Sequence, residues 1–587
     1  MNTHRQSQVP DGMRIDWDVP IEMDDGATLR CDVFRPPDDG EHPVIISQGP
    51  YGKWLHFEQL YGDQWKRMCE LYPDVPAEST NQYQNWEVAD PEMWVPEGYV
   101  VVRVDSRGAG RSEGYLDVWS HRETRDFAQC IEWAGERGWS NGNVGLNGIS
   151  YYAMNQWQAA ALQPDHLEAM CVWEGAADFY RDLAYHGGVY CTFGQDWYEN
   201  QVLPVQHGLG ENGFRSEMTG GWVSGSETLS EEELGANRAD LEADYKANDL
   251  ATDEYWTSRT PDLSKVDVPL LSSANWGGQG LHTRGNFEGY IRAGSDQKWL
   301  EVHGNEHWTE FYTDYGVDLQ KQFFDHFLKG EDTGWAEQPN VQLQVRSPDE
   351  RFEKRHEDDW PLPNTDWTRY YLHPDGRELS RDEQTGTKTV TYDALGDGLT
   401  FLTAPLEEAI EITGPISSKV FVESDTEDTD LFVTIRLFQP DMEEVVFQGA
   451  IDPHTPIGQG WLRASQRKLD KERSEEWRPY HAHDEKELFE PGKVYELDIE
   501  IWPTCIVAPE GSRIGLSIRG NDYEYPGDGD SDLESMAGTF DGVGPFRHDD
   551  ADDRPPEVYG SDVTLHTGPD YPSSVLLPII PDQDGDQ

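Results

Sequence analysis

At 587 residues the chain is too long for one ordinary hydrophobic core, and roughly three compact units are expected of it. Its residues are 36% hydrophobic and 12% aromatic, with 22 tryptophans, so it can fill those cores and is not a disordered chain. The 112 acidic residues against 46 basic ones, a formal net charge of -66 spread along the whole length, exclude a nucleic-acid-binding protein.

Charge of that size repels itself at low ionic strength and is screened within roughly 3 Å at 1 M salt, which fits a protein made for the interior of a halophilic cell. Cys31, Cys69, Cys130, Cys171, Cys191 and Cys505 show no C-x-x-C pair and no metal-ligand spacing. They read as buried free thiols in a reducing compartment. Met1 to Pro10 is polar and has no apolar core of a secretion signal. No stretch approaches the roughly 18 apolar residues of a membrane span. A cytoplasmic protein is expected, without membrane or nucleic-acid partner and without cofactor.

In chain order, Met13 to Val19 and Ala27 to Phe34 alternate around the turn Asp24-Asp25-Gly26, an antiparallel hairpin. Pro43 to Ser47 and Tyr99 to Val104 are short buried strands. Glu123 to Arg137 is an amphipathic helix with Phe127, Cys130, Ile131 and Ala134 on one stripe. The stretch Asn143 to Ala153, N-V-G-L-N-G-I-S-Y-Y-A, then runs an apolar strand through Gly148-Ile149-Ser150 into a helix reaching Leu162. Strand, sharp turn with a serine, and helix are the pattern of a nucleophile elbow, although Tyr152 stands where a glycine is expected two residues after Ser150. Leu167 to Trp173 is the next strand. Buried strands alternating with helices predict a mostly parallel sheet with helices on both faces, an α/β fold whose ligands sit at the carboxyl ends of the strands.

The motifs G-P-Y-G-K (49–53), D-S-R-G-A-G-R-S-E-G (105–114) and G-I-S-Y (148–151) together resemble the cocaine-esterase-like and Xaa-Pro dipeptidyl-peptidase (S15-type) group of α/β-hydrolases, here as an acidic, haloarchaeal-type member. The resemblance implies that the hydroxyl of Tyr51 and the backbone N–H of Tyr151 hold the oxyanion of a tetrahedral intermediate. Arg107, Arg111 and Glu113 read as a structural turn network.

Residues 1–180 are thus expected to form the first part of an α/β-hydrolase core, 181–260 a helical cap inserted over the site, and 261–335 the second part of the core. Within the cap, Ser230 to Asn248 reads as one acidic helix anchored by Leu234 and Leu241. In the return to the sheet, Val268 to Ala274 and Lys298 to His303 are strands, and Asp318 to Leu328 is the closing helix. A serine nucleophile needs a base and a carboxylate to orient it. His307 lies in the loop after the last of these strands, where the family carries its histidine, and His303 is a weaker alternative. The two straddle a strand end, so no zinc pair is expected and no metal is assigned.

The acid stays open. The family has G-W-x-D, whereas Asn275-Trp276-Gly277-Gly278 places a glycine at the aspartate's position. Glu174, or Asp178 after it, at the end of the strand following the elbow, is the preferred source. Glu288 is the first carboxylate of the loop after Trp276, and a Ser–His dyad without acid is the third reading.

From about 340 to 587 helical periodicity gives way to short alternating runs bounded by Pro, Gly, Asp and Asn: Val341 to Val345, Trp367 to Leu372, Ser417 to Val422, Leu431 to Phe438, Val494 to Ile501 and Ile514 to Ile518. An all-β sandwich or jelly roll is expected, and 460–470, 491–504 and 571–578 resemble the same family's C-terminal domain. Asp528, Asp530, Asp532 and Glu534 lack the glycine and spacing of a calcium loop and read, like Asp549 to Asp553, as solvated acidic loops. The leading expectation is a serine hydrolase that cleaves ester or amide bonds, including Xaa-Pro dipeptidyl bonds, of a small molecule or short peptide through an acyl-enzyme. The absence of the long helical N-terminal domain of the dedicated peptidases favours esterase or amidase. The alternative is a weakened or inactive binding protein of the same fold that has lost its acid.

Overall fold

Short β-branched runs in the first 360 residues assemble one sheet. The computed structural model describes residues 12–77, 79–527 and 541–581, and the backbone of residues 6–8. The strands are β1 (Gln6–Gln8), β2 (Arg14–Glu22), β3 (Thr28–Arg35), β4 (His42–Gly49), β5 (Val100–Asp105), β6 (Ser140–Ile149), β7 (Leu167–Trp173), β8 (Leu270–Asn275), β9 (Lys298–His303), β10 (Val341–Arg346) and β11 (Phe352–Glu357), in the order β1-β2-β3-β5-β4-β6-β7-β8-β9-β10-β11. From β5 to β10 all neighbours are parallel, and antiparallel strands flank them on both sides.

Alternation along these strands fills two cores. Ile45, Val101, Ala169 and Cys171 face one core, which takes Leu319, Phe323, Phe324 and Leu328 of α3 (Asp314–Lys329). Their neighbours Val44, Ile46, Val100, Val102, Met170 and Val172 face the other, which takes α1 (His121–Gly135) and α2 (Tyr151–Ala160). The period-2 pleat therefore sets helices on both faces and leaves the carboxyl strand ends as a free rim.

Three readings need correction. Val341 to Val345 belongs to the first sheet, not to the C-terminal unit expected from 340 onward: β10 pairs in parallel with β9. The Val/Leu alternation hides that Gln342 and Gln344 are buried as well, as in a central strand. Ser230 to Asn248 is two helices, Glu231–Ala236 with a Ser230/Glu233 capping box and Leu241–Ala247 capped by Asp240, because Asn237 to Asp240 restarts the chain. The region 181–260 is also less helical than expected and includes a hairpin, Tyr185–His186 with Val189–Tyr190.

The remaining strands, from Asp366–His373 to Ser574–Ile580, form a second, 12-stranded sheet system around its own aliphatic core. Asp549 to Asp553 is not merely solvated: Asp550 pairs with Lys246 of the cap, and Asp553 with Arg463 inside the β domain. Residues 528–534 lie outside the described residues. No helix among the described residues is long and apolar enough to cross a membrane.

Candidate active site

Ser150 directly follows β6 with φ 56° and ψ -116°, a conformation that L-residues avoid and that a nucleophile elbow requires. Gly148 is needed beside it: at φ 153°, a Cβ there would lie 2.4 Å from Tyr152 Cβ and 3.2 Å from the Glu87 carbonyl oxygen. The tyrosine two residues after the serine is accommodated from across the sheet. A Cβ on Gly49 would meet the Tyr152 ring at 2.5 Å, so that glycine makes the room the elbow's own second glycine would have made. Tyr151 is the first residue of α2, where the backbone N–H has no intrahelical partner and is free for an anion. Among the described residues no side chain hydrogen-bonds the Ser150 hydroxyl, which is partly exposed.

Four loops at neighbouring strand ends close around it. The Ser150 N–H donates to the Trp173 carbonyl, the last residue of β7, and the next residue is Glu174 at φ 47°. Its carboxylate Oε2 lies 2.6 Å from His307 Nδ1, and Oε1 lies 3.0 Å from His303 Nε2 and 3.3 Å from Asn275 Nδ2. His303 Nδ1 in turn lies 2.8 Å from Glu301 Oε2, which also accepts from Ser273. All of these side chains are buried. Burial alone would raise the Glu174 carboxyl, but the charges and N–H groups of His307 and His303 outweigh it and hold it at about 2. Burial would likewise lower His307, yet Glu174 and then Glu87 raise it to about 9. His303, between Glu301 and Glu174, is raised to about 10.

The structure thus brings Ser150, His307 and Glu174 to one rim, and sets His303 behind the carboxylate. Asp178 is elsewhere: it pairs with Arg181 at 2.7 Å. Glu288 pairs with Arg478 at 2.9 Å. The corner that would hold an aspartate is occupied. A Cβ on Gly278 would stand 3.0 Å from Thr283 Oγ1 and 3.3 Å from His282 Cβ, and one on Gly277 would stand 2.3 Å from Gly449 Cα of the C-terminal domain. His282 instead lays its ring on His307, centroids 4.8 Å apart and planes within 2°. The backbone N–H of His307 donates to the Ala450 carbonyl, so the β domain fixes the loop that carries it.

Tyr51, in the loop after β4, is buried with its ring edge-on to Tyr151 and Tyr152. Its hydroxyl oxygen accepts the Trp197 indole N–H at 3.0 Å, which leaves its own proton free to donate into the site. Burial, and then the nearby Glu87, keep that proton on, well above the usual tyrosine range. Arg107 pairs with Asp126 and Arg111 with Asp18, both outside the turn itself, while Glu113, expected in the same network, is exposed.

Glu87 is the residue the sequence did not single out. It sits at φ 58°, its carbonyl accepts the Ile149 N–H, and its Oε1 lies 3.2 Å from His307 Nε2 and 3.3 Å from Trp308 Nε1. Its Oε2 is buried without a partner among the described residues, and burial raises its carboxyl. The only sequence signal was an acid enclosed by Trp86 and Val88. His307 is therefore held between two carboxylates, with the nitrogen that would face Ser150 occupied by Glu87.

An elbow serine at the rim of this sheet, with a histidine oriented by a buried carboxylate, places the protein among the serine hydrolases of α/β-hydrolase fold. A family model described as X-Pro dipeptidyl-peptidase (S15 family) matches residues 25–309, and one described as X-Pro dipeptidyl-peptidase C-terminal non-catalytic domain matches 333–576. Cocaine esterase from Rhodococcus sp. (strain MB1 Bresler) is 26% identical, covering 96% of this chain and 98% of that protein. A putative Xaa-Pro dipeptidyl-peptidase from Rhodopirellula baltica is 22% identical over 82% of this chain and 78% of its own. The crystal structure of a CocE/NonD family hydrolase from Staphylococcus aureus superposes with a TM-score of 0.82 at 31% identity, over 97% of this chain and 94% of that one. The chain belongs to the CocE/NonD hydrolase family.

Proposed function

We propose that the protein hydrolyses esters, and more slowly amides, of small molecules through an acyl-enzyme on Ser150, with His307 as base and Glu174 as its carboxylate partner. The observation that carries this reading is the 2.6 Å contact between Glu174 Oε2 and His307 Nδ1, one residue beyond the carbonyl that binds the Ser150 N–H. Ser150 Oγ attacks the substrate carbonyl while His307 Nε2 takes its proton. Glu174 keeps Nδ1–H in place and stabilises the imidazolium that forms. The tetrahedral oxyanion sits between the Tyr51 hydroxyl and the Tyr151 N–H. Collapse expels the alcohol or amine, protonated by His307, and a water activated by the same nitrogen releases the acid.

Glu87 competes with Ser150 for His307 Nε2. Since Nδ1–H faces Glu174, the Glu87 contact requires one further proton on the His307–Glu87 pair, and both groups are raised. Losing that proton sets a lone pair against a carboxylate and releases Nε2 towards the serine. The base must be neutral to work, so turnover rises with pH through the pair's ionisation. Esters of an apolar acid suit the site, because the neighbouring side chains Trp119, Tyr151 and Trp197 are stacked on one another and Tyr61, Trp86 and Trp308 pack around Glu87.

A fluorophosphonate probe in molar potassium chloride tests the assignment. Labelling and p-nitrophenyl ester turnover are expected in the native chain and are both expected to vanish in Ser150→Ala. Absence of labelling in folded native protein overturns it, in favour of a binding protein that keeps the fold.

A further inference from the structure

Where the cap meets the C-terminal β domain, three buried donors converge: His186 in the first strand of the 185–190 hairpin, Cys191 directly after its second, and His548 from the β domain, 362 residues from His186. We infer that these three side chains bind one zinc-type ion, a borderline-soft, closed-shell divalent metal, which ties the cap to the β domain. Donor atoms of all three lie within 4.8 Å of one another, and all three residues are buried.

The hydrogen bonds around the cluster point the same way. His548 Nδ1 lies 2.8 Å from Asp522 Oδ1, and the His548 N–H donates to the same carboxylate. A ring nitrogen facing a carboxylate is the donor, so His548 Nε2 carries the lone pair. This carboxylate–histidine arrangement is the one that orients metal ligands. His186 Nε2 lies 3.3 Å from the Asp182 carbonyl oxygen, and the Gly280 carbonyl is a further acceptor for that ring. With Nε2–H given to a carbonyl, His186 Nδ1 also carries a lone pair, yet it stands 2.9 Å from His548 Nε2. In either tautomer of a neutral His186, one acceptor faces another. A cation between the nitrogens removes the conflict. A proton would also bridge the two nitrogens, but it gives the Cys191 sulfur beside them no role.

The surroundings are built to hold the donors still. Gly187 and Gly188 turn the hairpin at φ 56° and 88°, and a Cβ on Gly187 would lie 1.9 Å from the Trp461 carbonyl oxygen, so only glycine lets the hairpin lie on the β domain. Arg463 N–H donates to Gly187 O at 2.9 Å. Trp461 and Trp502 enclose His186, and Trp461 and Phe432 enclose His548, a dry shell that strengthens ion–ligand bonds. Zinc distances of about 2.0–2.1 Å to nitrogen and about 2.3 Å to sulfur need donors roughly 3.3–3.8 Å apart, reached by a small opening of the two imidazoles and an approach of the sulfur by about 1 Å. Sequence spacing could not reveal the site, since His548 lies 362 residues from His186 in the chain and joins the hairpin's two ligands only through the fold.

The test uses the full, tag-free chain in molar salt, stripped with EDTA and titrated with zinc chloride or cobalt chloride. One equivalent of zinc is expected to remain after dialysis. Cobalt is expected to give the intense visible bands of a tetrahedral site with a thiolate charge-transfer band in the near ultraviolet. Cys191→Ser removes that charge-transfer band, His548→Gln weakens zinc binding at least tenfold, and Asp522→Asn weakens it about tenfold, each judged in protein that still reacts with fluorophosphonate. Failure of the native chain to retain an equivalent, octahedral cobalt spectra, or an equivalent unchanged in Cys191→Ser overturns the proposal. The native cobalt spectrum decides the matter even where a variant does not fold.

Discussion

The ends of β7 and β8 lie side by side in the sheet, yet only one supplies a carboxylate. After β7 the chain turns at once through Glu174 in a left-handed conformation, and the side chain drops beneath His307 where two imidazoles and an amide enclose it. After β8, Gly277 and Gly278 are pressed by Gly449, Thr283 and His282, and the space that a carboxylate would fill is taken by an imidazole stacked on His307. A histidine needs its orienting acid on one side only, and the strand that delivers it is interchangeable so long as the carboxylate reaches Nδ1. The cost of burying that charge is offset by His303, whose Nε2 faces Glu174 while its Nδ1 faces Glu301.

Four variants probe the difference between the two strand ends, from the largest expected effect to the smallest. Moving the carboxylate across, Glu174→Gln with Gly278→Asp, is expected to leave kcat about 10^3–10^4-fold below native, roughly 4–5.5 kcal/mol of barrier, because the second corner is crowded. Recovery to within tenfold in ester turnover would show the two strand ends to be equivalent. Tyr51→Phe is expected to lower kcat about 10^2–10^3-fold with little change in KM, as for a donor used mainly in the transition state; a change confined to KM would reduce Tyr51 to a wall of the pocket.

Glu87→Gln acts on the opposite face of the same ring. His307 is raised to about 9 by Glu174 and Glu87 together, with His282 stacked on it and His303 behind Glu174. Removing the Glu87 charge lowers the His307 pKa, so the rising limb of the pH–rate profile moves down by roughly one to two units while the alkaline plateau is kept. An unmoved limb would separate Glu87 from the base. Asp178→Asn gives the smallest effect. With its carboxylate on Arg181, turnover is expected to stay within about threefold of native, and a larger loss of kcat would reopen its claim to be the acid.

The parts of this site that were legible in the sequence are those set by local pattern. Ser150 is marked by a strand, a Gly-x-Ser turn and a helix, and Glu174 by the end of an apolar run. His307 follows a strand in the order that the family motifs lead one to expect. The parts that were not legible depend on long-range closure. Glu87 lies in an irregular loop and reaches His307 only because the Ile149 N–H clamps its backbone, a bond across 62 residues of chain. The glycine missing after Ser150 is supplied by Gly49 on another strand, and β10 reads as half-buried until the sheet and the β domain cover both of its faces. The all-β C-terminal unit was legible from its turns, but not that its 447–455 loop props the His307 loop and crowds Gly277.

The most direct test of Glu174 as the acid is the single-turnover acylation rate of Glu174→Gln with a p-nitrophenyl ester in molar salt, measured beside the native chain and Asp178→Asn. A fall of about 10^3-fold or more in Glu174→Gln alone, in protein whose thermal unfolding stays cooperative, is the predicted result. Acylation by Glu174→Gln at a rate within tenfold of native would contradict it.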